Sequence, residues 1–161
     1  MKKLSIVLIL VIVSFTSQAQ SYKDDVDLIQ SFYGKTKSDL VREYMNLSET
    51  QAAAFTKVYE NYESVRKTLG QTKLKLINDY AVNYATLTEE KADELAKGAL
   101  KNNQDYEKLY SKTYSQAKKA IGAINAAKFI QLEVYLQTVI RNKIQESIPF
   151  IGELDKTKVQ M

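Results

Sequence analysis

Carboxylates, tyrosines, lysines and hydroxyls are left as the side chains in this sequence with the means to do chemistry, because the usual catalytic and metal-ligating residue types are missing. Histidine, cysteine and tryptophan are all absent from the 161 residues. That removes the ordinary general base, the thiol nucleophile and the nitrogen and sulfur ligands of transition metals. Glu89, Glu90, Asp93 and Glu94 are spaced closely enough to share a proton or an oxygen-ligated cation. At the start of a helix the same four residues complement its positive end, and that explains them without a ligand. Gly34-Lys35-Thr36 matches the end of a phosphate-binding loop, but Ile29 stands where the first glycine of that loop belongs. No catalytic, cofactor-binding or metal-ligating residue is assigned, no cofactor is implied, and an enzyme is not expected.

The eleven tyrosines offer recognition instead. Tyr59, Tyr62, Tyr80, Tyr84, Tyr106, Tyr110, Tyr114 and Tyr135 recur at helical spacing, and a tyrosine can bury its ring while its hydroxyl stays wet. Most are read as core or dimer packing. Tyr106, Tyr110 and Tyr114, one face at four-residue steps, are read as partly exposed and client-binding. The lysines between Lys67 and Lys119 read as a solvated face.

These residues must be positioned by helices. Pro149 is the one proline and there are five glycines, while Ala, Lys, Gln, Glu and Leu abound, which suits helix and disfavours turn-rich β folds. Lys2 and Lys3, the apolar run Leu4 to Phe15, and Ser17-Gln18-Ala19 have the order of a cleavable secretory signal peptide over 1–19, cut after Ala19. The run is shorter than the roughly 20 residues of a membrane span, so stable membrane insertion is not expected. Two of the +4 formal charges belong to Lys2 and Lys3, and the rest are too interspersed for a nucleic-acid surface.

Residues 20–151 read as a single all-helical domain and 152–161 as a loose tail. The apolar positions Phe55, Val58, Tyr62, Val65, Leu69, Leu76, Tyr80 and Tyr84 step by three, four and seven. They predict a helix over about 48–85, roughly 55 Å long. A second runs over about 89–121, and Gly122 interrupts it. A third runs from Asn125 to about Ser147, and Pro149 ends it. "SDLVREYM" (38–45) predicts a further amphipathic helix starting at Ser38, with a candidate extension back through Asp27-Leu28-Ile29. Gly70 and Gly98 lie within the predicted helices, where a close approach or a bend is expected. The fold class is therefore all-α, with about four long antiparallel helices in a hairpin or cradle and a homodimer to cover their apolar faces.

One device starts three of these helices: Leu47-Ser48-x-x-Gln51, Leu87-Thr88-x-x-Lys91 and Ile124-Asn125-x-x-Lys128. Each has an apolar staple, a polar N-cap and a long polar residue three positions on. The segment "NLSETQAAAFTKVYENYE", with "LINDYAVNYATLTEEKADELAK" and "AAKFIQLE", resembles the LTxxQ-motif periplasmic proteins of the Spy/CpxP family over roughly 45–150. Ser48 replaces the motif's threonine. Ile124, Asn125 and Lys128 replace its leucine, threonine and glutamine.

The resemblance implies a cradle-shaped helical dimer in the periplasm. It also implies a chaperone that holds unfolded or partly folded envelope proteins without ATP, or else a regulatory module docking on an envelope stress-sensor protein. The expectation from the sequence is the non-enzymatic holdase, with the stress-response regulator as the alternative.

Overall fold

A computed structural model describes residues 36–147. The leader over 1–19, the extension through Asp27, the stop at Pro149 and the tail at 152–161 lie outside the described residues. Within them the chain is almost wholly helical and contains no strand. Three helices appear: α1 (Lys37–Met45), α2 (Glu49–Asn83) and α3 (Glu89–Ser147). A short 3-10 turn, Tyr84–Thr86, follows α2.

Local chemistry sets each boundary. Thr36 caps α1, its side chain accepting from the Asp39 N–H, so the helix starts one residue earlier than Ser38 implied. Asn46 ends α1 in the left-handed region at φ 45° and donates its N–H to the Arg42 carbonyl at 3.1 Å. Asparagine tolerates that conformation better than most residues with a Cβ. At α2 the Ser48 hydroxyl accepts from the Gln51 N–H, while Gln51 Oε1 accepts from the Ser48 N–H, each at 3.3 Å. Leu47 is half-buried against the core. Thr88 Oγ1 accepts from the Lys91 N–H at 3.2 Å. The Lys91 side chain does not fold back on the cap. It reaches Asp79 across the turn and Glu94 beside it, both at 2.9 Å.

The third start differs from the sequence reading. The break in α3 is one residue, Gly122, at φ 83° and ψ 162°. That region of backbone space is essentially restricted to glycine. The chain is helical again from residue 123, so Asn125 lies inside the helix and is not its N-cap. Its Nδ2 donates back to the Ile121 carbonyl at 3.2 Å, satisfying an acceptor left over by the preceding limb. Ile124 is 84% exposed and staples nothing. Lys128 crosses to the end of α1, its Nζ 3.4 Å from the Met45 carbonyl and 4.7 Å from the centre of the Tyr44 ring.

Gly122 divides α3 into a first limb, 89–121, and a second, 123–147. The first limb runs antiparallel to α2, through Lys91 with Asp79, Gly98 with Leu76, and Asn102 Nδ2 to the Leu69 carbonyl. The second limb folds back on the first, with Arg141 reaching Asn103. It therefore runs alongside α2 in the same direction, and Phe129 meets Phe55 at 5.0 Å and Tyr62 at 5.3 Å between ring centres. Phe129 is fully buried, with Leu136, Ala117 and Ala126 also at the centre of the core. The edge-on ring pairs favour this cluster beyond its buried area. The all-α expectation holds for the described residues; three helices, the last bent, stand where about four were expected.

The two glycines of α3 should respond differently to a methyl group. Gly122→Ala forces an L-residue into a glycine-only conformation and is expected to cost about 1–3 kcal/mol. At Gly98 an added Cβ would sit 2.7 Å from Leu76 Cδ2, the mobile end of a side chain. Alanine's better helix propensity offsets that crowding, so Gly98→Ala should change stability by less than about 1 kcal/mol. Urea unfolding followed by circular dichroism ranks the two; equal losses would contradict the corner assignment.

Candidate functional site

Two regions stand apart from the apolar core: a buried cluster of ions and a thin helical arm. The cluster joins all three helices. Lys37 Nζ, at the start of α1, lies 2.5 Å from Glu63 Oε1 on α2 and 2.7 Å from Glu133 Oε2 on the second limb. Tyr62 donates its hydroxyl to the same Glu133 oxygen at 2.6 Å. Arg66 grips both Glu63 oxygens at 3.1 Å through Nε and Nη2. Arg66 and Glu133 are both 0% exposed. Two cations and two anions thus balance inside the bundle, the condition under which charge survives burial.

Electrostatics follow from this enclosure. Burial alone would raise the Glu63 carboxyl, but Lys37 and Arg66 outweigh it and hold the group below its ordinary 4.5. Burial, reinforced by nearby carboxylates, pushes the Tyr59, Tyr62 and Tyr110 hydroxyls well above the usual phenol range. Glu133 Oε1, Gln137 Nε2 and Asn102 Oδ1 are buried and make no hydrogen bond among the described residues.

Of the tyrosines read as partly exposed and client-binding, Tyr114 is partly exposed and the other two are not. Tyr106 and Tyr110 are 4% and 8% exposed and belong to the core, and Tyr114 is half-buried against it. Four-residue spacing identified their shared face correctly, but that face points inward, toward the second limb. Sequence reasoning also missed Lys37, Glu63, Arg66 and Glu133. A signal was present: Arg66 interrupts the apolar stripe Phe55, Tyr62, Leu69, and Glu133 interrupts Phe129, Leu132, Leu136, Ile140.

The arm is the outer part of the hairpin formed by α2 and the first limb. Between residues 71 and 100 only Leu95 is buried. Leu74, Leu76, Ile77, Tyr80, Tyr84 and Leu87 are all half-buried there, while Val82 and Leu100 are exposed. Tyr80 and Tyr84 pack edge to face at 5.7 Å. The arm is held by the Gly98–Leu76 approach and by the Lys91–Asp79 ion pair near its tip. Gly70, at its base, is buried in α2.

The acidic helix start is spent on lysines: Glu94 on Lys91, and Asp93 on Lys97 at 2.6 Å. Among the described residues no group of three or more His, Cys, Asp or Glu side chains is arranged to hold a metal ion. No helix there is long and apolar enough to cross a membrane. The chain matches no protein-family model, no curated protein and no solved structure with which it was compared.

Removing Glu133 from the buried cluster leaves Tyr62 without its acceptor and two cations facing the single carboxylate of Glu63. Glu133→Ala should cost about 3–5 kcal/mol, because Lys37 and Tyr62 lose their shared acceptor. Combining Lys37→Met with Glu133→Leu should cost clearly less than the sum of the two single changes, a coupling measurable in a double-mutant cycle.

Acid should act through Glu63. Its folded value lies below 4.5, so the stability it contributes is complete above the unfolded value. That contribution is lost as pH falls through the lower, folded one. Urea midpoints should hold down to about pH 5 and then decline, and Glu63→Gln should flatten part of the decline. An unchanged profile in Glu63→Gln would exclude this carboxylate as the acid-sensitive group.

Proposed function

We propose that the protein is a non-enzymatic protein-binding module that holds partly folded chains, without nucleotide, on the arm between residues 71 and 100. The observation that carries this reading is the burial pattern. Thirty residues of helical hairpin, its turn included, enclose a single buried side chain, Leu95, while aliphatic and aromatic groups line the arm at partial exposure. A helix pair so thin leaves its apolar stripes only half covered, and exposed apolar surface of that extent favours association.

Recognition by such a surface would be loose and tolerant of sequence. Tyrosine rings and aliphatic side chains offer contact area without a fixed hydrogen-bonding code. Lysines interleaved with them keep the arm soluble and attract acidic stretches of a client. The folded half of the molecule, pinned by the buried ions, would serve as the rigid base. A signal peptide over 1–19, a periplasmic address, membership of the Spy/CpxP-like group and a dimer of antiparallel helices forming a cradle belong to the same proposal. In such a dimer two arms would lie side by side and enlarge the half-covered surface.

The test is aggregation of a denatured client diluted into buffer. The protein should suppress light scattering at near-equimolar ratio without nucleotide, and Val82→Ser with Leu100→Ser should weaken suppression several-fold while circular dichroism stays unchanged. Failure to suppress at several-fold excess would sink the holdase reading. One tight, saturable partner in a pull-down, with no general client binding, would favour docking on a stress sensor instead.

A further inference from the structure

The end of the molecule at the Gly122 corner has a surface that neither the core nor the arm uses. From residue 108 to 132 the sequence contains five lysines and no aspartate or glutamate. Lys97, Lys101 and Lys108, farther from the corner, are spent on Asp93 and Asp105. Lys112, Lys118 and Lys119 are exposed and join no ion pair among the described residues.

Apolar surface lies across the corner from these charges, on the first turn of the second limb. Ile124 is 84% exposed, and Ala123 and Ala127 flank it in the open. The contacts of Phe55 with Phe129 and of Lys128 with the Met45 carbonyl bring the start of α2 and the end of α1 to the same end. Exposed Ala52, Ala53 and Ala54 and the Tyr44 ring therefore belong to it as well. Glu43 and Glu49 are the acidic groups on these adjoining turns.

A single exposed isoleucine is ordinary on a protein surface. This one stands at the outermost turn of the bundle, with uncommitted cations behind it and an aromatic ring under a lysine nearby. An acidic polypeptide would engage the lysines and leave Ile124 in water. An anionic bilayer takes both: phosphates meet the lysines, and the apolar tip enters the boundary between headgroups and acyl chains. Lysine stems lie along that boundary with their charges outward. We infer that the Gly122 corner docks peripherally on an anionic phospholipid surface, with Ile124 as a shallow anchor and Lys112, Lys118 and Lys119 on the headgroup phosphates.

The experiment is vesicle flotation of the chain from Gln20, freed of the apolar leader, at low ionic strength, with phosphatidylglycerol mixed into phosphatidylcholine and with phosphatidylcholine alone. Binding is expected only on the anionic vesicles and should weaken with added salt. Lys118→Gln with Lys119→Gln should lower partitioning about twenty-fivefold, at roughly fivefold per lysine. Ile124→Ser should lower it several-fold. All three side chains are exposed, so circular dichroism should report an unchanged fold. No flotation with anionic vesicles, equal flotation with neutral ones, or full binding by Ile124→Ser overturns the inference. So does capture by poly-glutamate without any vesicle binding, which would assign the lysines to an acidic polypeptide. Aggregation suppression is read without lipid, so the two proposals stand or fall separately.

Discussion

The carboxylate of Glu133 is where the three helices of this protein agree on a register. It receives Lys37 from α1 and Tyr62 from α2 while sitting on the second limb of α3. Apolar packing alone tolerates sliding by a turn, because one leucine or alanine can replace another against a helix face. A charge that is 0% exposed has no such freedom, since leaving it unpaired costs several kcal/mol. The ion cluster therefore selects one arrangement among many greasy ones, and Phe129, one turn before Glu133, is held among its three aromatic neighbours as a result.

Stability is consequently uneven along the molecule. The half that contains Phe55, Tyr62, Phe129 and Leu136 has rings, aliphatics and ions in mutual contact. The half beyond Gly70 is held by a hairpin of two helices with one buried residue. Local opening draws on the number of buried apolar contacts, so the arm is the part free to open at low cost. Such an arm can adapt to irregular surfaces while its base keeps a fixed shape.

Much of this was legible in the sequence, and the failures have physical reasons. Ser48 with Gln51 and Thr88 with Lys91 were readable because a cap acts over three residues. Asn125 was misread because an asparagine that caps the next helix and one that bonds back to the previous one look alike in sequence. The nearby glycine, by taking φ 83°, makes the corner without a separate cap. Tyr106, Tyr110 and Tyr114 show the limit of periodicity: it groups residues onto one face and does not say which way that face points. The pairing of Lys37 with Glu133 spans 96 residues, and no local pattern encodes a partner at that distance. Only the oddity of a charge on an apolar stripe marks such residues beforehand.

The corner itself constrains insertion. A loop of several residues absorbs an insertion as slack, but Gly122 joins two limbs with no spare residue between them. Each residue added between the corner and Phe129 would rotate everything downstream by about 100° about the limb axis. That turn would carry the ring and the carboxylate out of the interior together. An added residue is better absorbed at the hairpin tip near Thr86, where the chain is already out of α-helix, and the corner is a place where the reading frame of the fold cannot slip.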